Sequence, residues 1–536
     1  MTSSYNEPIA KHSTGDRLTE AARRVTAFVL TLATLLTIWL FAGGGWDELI
    51  PIVDRDKWRG VDPALDVVAT APAEIKQENV ADQSTWRVLG HNVVATWLRT
   101  GENGKLEPEL VDRWEQSADG REWTFHLKNG LRWSDGSRLE AGDLVRSLQR
   151  NISARFDYAD RLQLDSVAAQ SKSTIVIKTS KPMAVLPHLL SGRLGAVWAN
   201  ASSTDDGSKG KTDSRAGGAE AKPIIVTSGP YAVIGYKADG AGKGELDLRP
   251  TASTLAADAH VDSLTIRWTD EATAKADVAR GKVQYAVADW NVDLGEGTEH
   301  GASTRRLAIA FNGRTDRPYP ALSDKKFRQG MRWAINSQNV LDAIGGGYAG
   351  AQTVSTGVAP TAYGHDEANS PFSFDPDKAT AEVTHYFGVY SPSLIVPDWA
   401  SGAGDVIRSQ LNDVLQYPHV EVLDQGTYSQ RLQANDYDMA IVQVDGYDGL
   451  RGLLDANSMT GVDAPDTTTA YYAIFTAKTE DDLLAAVKNA AAVQSDWSTV
   501  DWLGTAKTSM WTASGWSKLP ADLSDVTIDY RSIGKN

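Results

Sequence analysis

The chain has 536 residues, which is too long for one ordinary domain and predicts two or three lobes. Its formal net charge of −16 argues against nucleic acid as a partner, because phosphate binding needs a basic surface. The absence of cysteine excludes disulfides, thiolate chemistry and cysteine-based metal sites.

An apolar segment near the N-terminus predicts a membrane anchor. Residues 25–46 carry no charge, follow Arg23 and Arg24, and are long enough to span a bilayer at about 1.5 Å rise per residue. The arginines predict that residues 1–24 lie in the cytoplasm and that the C-terminal part is extracytoplasmic. A cleavable signal peptide and a buried core helix are the alternatives. Residues 47–60 then form a polar tether.

The stretch 112–150 predicts a hairpin that leads into a helix. Apolar residues alternate with polar ones, as in a half-buried strand, at Trp123, Phe125 and Leu127. Asn129-Gly130 permits a tight turn, after which a return strand begins at Leu131 and Trp133. Apolar residues then recur at the spacing of one helical face, at Leu144, Val145 and Leu148. The stretch contains no catalytic candidate, so its residues predict scaffold.

Residues 201–222 predict a mobile surface loop, because they are rich in Gly, Ser, Asp and Lys and have no apolar anchor. The loop includes "DDGSKGKT", which differs from a phosphate-binding loop. Asp205 stands where the first Gly is required, and its carboxylate would repel phosphate.

Motifs for catalysis and for metal binding are lacking in the sequence. There is no Gly-x-Ser-x-Gly motif, and the nine histidines show no metal-ligand spacing. His126 lies in the predicted strand and is interpreted as structural. Pairs such as Asp436 and Asp438 are expected in so acidic a chain. The residues alone therefore predict no cofactor and contain no feature that calls for an enzyme, which leaves enzymatic function open at this point.

Several segments, in order, resemble one family. They are "LEPELVDRWEQSADGREWTFHLKNGLRWSDGSRLEAGDLVRSLQR" (106–150), "SGPYAV" (228–233), "LAIAFNGRTDRPYPALSDKKFRQGMRWAIN" (307–336), "FDPDKATAEV" (374–383) and the helix–strand run 406–448. Together they are similar to the family 5 extracellular solute-binding proteins, the oligopeptide, dipeptide and nickel binders that serve ABC importers. The resemblance covers residues 60 to 450 approximately.

The resemblance implies an α/β fold, a two-lobed clamp of the type II periplasmic-binding-protein kind with an extra subdomain, behind the N-terminal transmembrane helix. Lobe I would comprise residues 61–308 and lobe II residues 309–465. Residues 466–536 would return to lobe I. The chain would cross between the lobes near 307–312 and again near 459–468.

The resemblance also implies where the solute binds. Asp445 follows a buried strand and matches the Asp that pairs with a peptide α-amino group in this family. Asp448, Tyr447 and Trp399 are further candidates. Alternatively, Asp445 caps the following turn and the two aromatic residues pack in the core. No Trp shortly precedes Asp445, and residues 400–405 include no basic side chain, so the class of solute stays open.

The function implied is that of a membrane-anchored, extracytoplasmic, monomeric solute-binding protein. It would capture peptides or similar small solutes in an interlobe cleft and deliver them to ABC permease subunits. One alternative is a membrane-tethered sensor or assembly protein that uses the clamp without transport. A second is a hydrolase that uses carboxylates in the cleft.

Overall fold

A computed structural model describes much of the chain beyond residue 61, within one compact unit. The predicted tail, anchor, tether and surface loop lie outside the described residues. Among the helices that are described, none has the length and apolar character needed to cross a membrane. The described residues are 62–69, 71, 86, 89–101, 104–199, 225–240, 242–288, 292–316, 320–345, 348, 351–360, 362–366, 372–384, 391–444, 449–462, 464–519 and 528–536.

The described β-strands are distributed along the whole described part of the chain, and the first five precede the helix Ala141–Ser153. They are β1 (Ala64–Val68), β2 (Leu98–Thr100), β3 (Leu106–Pro108), β4 (Val111–Gln116), β5 (Glu122–Leu127), β6 (Leu164–Ala169), β7 (Thr174–Thr179), β8 (Tyr231–Ala238), β9 (Gly244–Pro250), β10 (Leu264–Thr269), β11 (Tyr285–Ala288), β12 (Glu299–Phe311), β13 (Ser393–Pro397), β14 (His419–Leu423), β15 (Met439–Val444) and β16 (Val500–Thr512).

The α-helices are concentrated in the second half of the chain. They are α1 (Ala141–Ser153), α2 (Leu186–Leu190), α3 (Glu271–Ala279), α4 (Lys325–Ala334), α5 (Ser337–Ile344), α6 (Pro376–Val383), α7 (Ser401–Asp413), α8 (Gln425–Gln433), α9 (Ala456–Ser458), α10 (Pro465–Thr476) and α11 (Glu480–Trp497). A π-helical turn, Arg451–Asp455, immediately precedes α9.

One sheet of ten strands extends through most of the molecule, in the order β14-β13-β15-β12-β16-β11-β1-β10-β9-β8. Its centre is the antiparallel pair β12 and β16, each 13 residues long. The early part of β12 pairs with the late part of β16, which also pairs with β11. The late part of β12 pairs with the early part of β16 and with β15. The two strands therefore connect the halves of the sheet.

A second sheet, in the order β4-β5-β7-β6, forms a separate small subdomain. The predicted alternation in β5 is confirmed, because Trp123, Phe125 and Leu127 are all buried. The predicted helix is confirmed as α1. The predicted return strand is wrong: Arg132 makes only an isolated bridge to Arg138, and the neighbours of β5 are β4 and β7. The turn at Asp135-Gly136 follows too soon for a strand to form.

Helix α11 contacts both the small subdomain and the β12–β15 half of the large sheet. Near its N-terminus, Leu483 and Val487 share a buried core with Phe125. At its C-terminus, Arg328 Nη2 of α4 donates to Trp497 O at 2.8 Å, and Arg332 Nη1 donates to Ser495 O at 2.9 Å. Cations are favourable at a helix C-terminus, where the carbonyl groups lack intrahelical partners.

Candidate functional site

The carboxyl ends of three parallel strands meet at one edge of the large sheet. Strand β13 runs parallel to both β14 and β15, so their last residues, Pro397, Leu423 and Val444, lie on the same side. In open α/β sheets, ligands bind in the crevice outside the carboxyl ends of the strands. This edge is therefore the candidate site.

Three of the four predicted site residues lie outside the described residues. Asp445, Tyr447 and Asp448 belong to the segment that follows Val444 directly. In the sheet, Val444 is paired with Arg306 of β12. The roles predicted for the three residues stay predictions.

The fourth predicted residue, Trp399, lies at this edge, in a single 3₁₀ turn after β13. Its ring stacks on the ring of Tyr348, with centroids 6.2 Å apart and planes 20° from parallel. The indole is half-buried and packs against the core that Leu394 and Ile441 help to form. The observed contacts of Trp399 are thus packing contacts, and its contact with a solute stays a prediction.

A buried guanidinium at this edge was not among the predicted site residues. Arg306 is fully buried, its Nη1 donates to Gly357 O, and its guanidinium lies 5.7 Å from the ring centroid of Trp502. A cation near an aromatic face is stabilised by the ring quadrupole. The signal in the sequence is the pair Arg305-Arg306, placed directly before the apolar run of β12. Arg306 places a positive charge beside the end of β15.

The segment after the undescribed residues 445–448 is closely packed. A Cβ atom on Gly452 would lie 1.4 Å from Gly357 O, so only glycine fits this approach. Gln494 of α11 donates to Leu453 O at 3.0 Å and accepts from Trp502 Nε1 at 3.1 Å. These contacts fix Gly452 against Gly357 and Leu453 against α11, which is in turn bonded to β16.

A cavity of about 10 Å³ lies between this segment and the small subdomain, which leaves room for about one water. Its lining includes His188 of α2, Tyr363 and Gly449. His188 Nε2 and Glu480 Oε1 are 2.9 Å apart. Burial tends to raise the pKa of Glu480, but the hydrogen bond and the charge of His188 lower it below its usual value. The pair is a polar contact within an otherwise apolar interface.

The side chains described at this edge are aromatic and cationic. Within the described ranges, no three His, Asp or Glu side chains are grouped in a way that could hold a metal ion. The rings of Tyr348 and Trp399 and the buried guanidinium of Arg306, which donates to Gly357 O, lie at this edge. Such a mixture of apolar surface and a few polar groups is typical of small-molecule sites.

Comparison with known proteins identifies the family. The profile described as "Bacterial extracellular solute-binding proteins, family 5 Middle" matches residues 105–386, more than half of the chain. The dipeptide-binding protein of Escherichia coli (strain K12) is 24% identical over 312 residues, which cover 51% of this chain and 54% of that protein. The chain thus spans about half the length of this relative.

Solved structures share the fold over most of the chain. The ABC transporter substrate-binding protein CtaP of Listeria monocytogenes has a TM-score of 0.72 at 15% identity, covering 89% of this chain and 100% of that structure. DppA of Helicobacter pylori, in complex with the peptide STSA, has a TM-score of 0.69 at 16% identity, covering 90% and 99%. The predicted two-lobed α/β clamp is confirmed. The chain belongs to the family 5 bacterial extracellular solute-binding proteins, which are not enzymes.

Proposed function

We propose that this protein captures peptides or similar small solutes in a cleft between its two lobes, outside the cytoplasm, and delivers them to ABC permease subunits. The observation that supports this most is the place of the candidate edge: the carboxyl ends of β13 and β15 lie beside the crossing strands β12 and β16. A clamp that opens about the crossing strands exposes this edge to solvent and covers it on closing.

The lobe boundaries form part of the proposal. Lobe I comprises residues 61–308 with 466–536, and lobe II comprises residues 309–465. The protein works as a monomer. Residues 25–46 anchor it in the membrane, with the C-terminal part extracytoplasmic.

The proposed solute contacts are those of Asp445, Tyr447, Asp448 and Trp399. Asp445 pairs with the α-amino group of a peptide, because a desolvated carboxylate facing an ammonium group makes a charge-assisted hydrogen bond. The position of Asp445 after Val444, at the edge where parallel strands end, supports this role.

The proposed function is tested by a thermal-shift screen of the full chain against pooled tripeptides, sugars and metal chelates. A captured solute raises the unfolding temperature by mass action, so we expect the tripeptide pool to raise it by several degrees. Failure of all three pools to raise the unfolding temperature would contradict solute capture.

The role of Asp445 is tested by calorimetry with a tripeptide that raises the unfolding temperature. In Asp445→Ala we expect its affinity to fall about 30-fold or more, since truncating one partner of a buried charge pair weakens binding strongly. The N-acetylated peptide should bind the parent protein as weakly. Asp413→Ala, which removes an exposed carboxylate from α7, is the matched control and should keep full affinity. Unchanged affinity in Asp445→Ala would rule out the pairing.

A further inference from the structure

The loop that follows α1 has an unusual backbone. Arg155, Asp157 and Tyr158 have φ angles of 57°, 26° and 59°, in the left-handed region that residues other than glycine seldom adopt. Three such residues within four positions store strain, and strained residues persist only where surrounding contacts hold them. This loop must therefore be held in place by contacts with other parts of the chain.

Asp157 is bound by two arginines from distant parts of the chain. Arg193 donates from Nη2 at 2.7 Å and from its backbone N–H at 3.1 Å. Arg451 donates from Nη2 at 3.0 Å. The Asp157 side chain is only 9% exposed. Burial tends to raise the pKa of Asp157, but the charges of Arg451 and Arg193 lower it below its usual range, so the carboxylate is ionised.

The next residue makes a second contact with the same distant segment. Tyr158 Oη donates to Asp455 Oδ1 at 2.6 Å. Asp455 is also 3.9 Å from Arg451 Nη1, within the π-helical turn. Two carboxylates and two guanidiniums thus lie in one network of opposite charges, which lowers the cost of burying Asp157.

The network connects the small subdomain to the segment beyond the candidate site. The turn Arg451–Asp455 begins seven residues after Val444, the end of β15. Gly452 in this turn packs directly on Gly357 O. The turn therefore packs on Gly357 of the proposed lobe II on one side. On the other side it is bonded to Asp157 and Tyr158, and its Leu453 and Leu454 join the buried core of the small subdomain. π-Helical turns occur frequently at functional sites.

We propose that the Asp157–Arg451 and Tyr158–Asp455 contacts form a latch between the lobes, which favours the closed clamp and sets how often it opens to admit solute. The inference rests on the proposed function, because the proposed lobe boundary at residues 308 and 309 places the two halves of the latch on different lobes. Within this proposal the described conformation is the closed one and opening breaks these contacts, so weakening the latch increases the open population. Asp157 and Tyr158 act on the clamp by holding the turn Arg451–Asp455 in place.

The latch can be tested without knowledge of the solute. Because the natural chain has no cysteine, nitroxide labels can be introduced at Gln170→Cys, after β6, and Ser409→Cys, in α7, which are both exposed positions. Double electron–electron resonance on the full chain then measures the distribution of interlobe distances. In Arg451→Gln we expect the ratio of long to short distances to rise about tenfold, because an ionic hydrogen bond is lost. In Tyr158→Phe we expect a rise of about threefold, because the lost hydrogen bond joins an uncharged hydroxyl group to the partly exposed Asp455 carboxylate.

The matched control is Arg193→Gln, which removes the other guanidinium from the same carboxylate. Arg193 lies on the same proposed lobe as Asp157, so this variant should lower the unfolding temperature and leave the distance distribution unchanged. Distances that stay unchanged in both Arg451→Gln and Tyr158→Phe would overturn the latch. If Arg451→Gln does not fold, the distance distribution of Tyr158→Phe alone tests the latch. That variant loses only one hydroxyl group and should still fold.

The outcomes separate the latch from the proposed function. Longer distances in the variants of a protein that binds no solute would retain the latch and reject solute capture. Tight solute binding combined with unchanged distances would reject the latch alone.

Discussion

Asp157, beside the small subdomain, and Asp501, on the crossing strand β16, are equally buried carboxylates whose pKa values are shifted in opposite directions. Their side chains are 9% and 7% exposed. The pKa of Asp157 is lowered, because the charges and hydrogen bonds of two arginines outweigh its burial. The pKa of Asp501 is raised to about 6 by burial, which its single partner Arg332, at 3.3 Å, offsets only in part. The number and geometry of donors, and not the depth of burial, determine which carboxylate is readily ionised.

The hydrogen-bond geometry explains the difference. Both oxygens of Asp157 accept from guanidiniums. Asp501 Oδ1 accepts from Arg332, but Oδ2 is buried without a hydrogen-bond partner among the residues that the structure describes. A charged group with an unsatisfied oxygen bears a desolvation cost that a protonated group largely avoids.

The largest effect should come from removing the well-paired carboxylate. In Asp157→Asn we expect the free energy of unfolding at pH 7 to fall by about 3–5 kcal/mol, because Arg193 and Arg451, whose side chains are 19% and 14% exposed, lose a shared and buried counter-charge. Urea denaturation measures this. Asp160→Asn, three residues away and exposed, is the control and should change the stability by less than about 0.5 kcal/mol. If Asp157→Asn lost as little stability as Asp160→Asn, the two arginines would not stabilise Asp157 more than Arg332 stabilises Asp501.

Asp501 should change the pH dependence of stability in the opposite direction to Asp157, because the pKa of Asp501 is raised and that of Asp157 is lowered. The folded state takes up the proton at about pH 6, whereas the unfolded state does so near its ordinary value of 3.8. Stability from this group is therefore fully present below about pH 4 and is lost as the pH rises to about 6. The shift corresponds to about 3 kcal/mol, at 1.36 kcal/mol for each pKa unit.

The measurement is the free energy of unfolding of the parent and of Asp501→Asn at pH 4, 5, 6 and 7. The difference between them should change by up to about 3 kcal/mol over this range, in favour of the variant at higher pH. If the difference in the free energy of unfolding did not vary with pH, the pKa of Asp501 would not be raised in the folded state, which would contradict the prediction.

The smallest effect concerns the strained loop that presents Asp157. Arg155 is exposed and has a φ of 57°, so Arg155→Gly should raise the free energy of unfolding by about 0.5–1 kcal/mol. Gln149→Gly, an exposed position within α1, should instead lower it by about 1 kcal/mol. Chemical denaturation of both variants checks the two signs. Equal losses in both would mean that the loop is not strained.

Local features of the fold were predictable from the sequence, because adjacent residues determine them. The alternation around Phe125 predicted β5, and the spacing of Leu144 and Leu148 predicted α1. The opening "FDPDKATAEV" corresponds to α6, whose cap Asp375 accepts from the Lys378 N–H at 3.0 Å. Such caps can be recognised in a sequence because the acceptor and the donor lie within one helical turn.

The contacts that distinguish Asp157 from Asp501 could not be predicted. Asp157 and Arg451 are 294 positions apart, and a single sequence contains no information on which acidic and basic residues meet at such a separation. The same limit applies to Arg306, which the fold places beside the end of β15. The lobe boundaries and the roles of Asp445, Tyr447, Asp448 and Trp399 come from the family resemblance and stay predictions.

The central claim, capture of a peptide by its free amino end, is tested most directly by native mass spectrometry of the full chain in detergent. The protein is incubated with equal amounts of a tripeptide pool and of the same pool N-acetylated. We predict complexes with one free-amine peptide per chain, almost no acetylated peptide, and loss of these complexes in Asp445→Ala. Spectra without a bound peptide, or with both pools bound equally, would contradict the account.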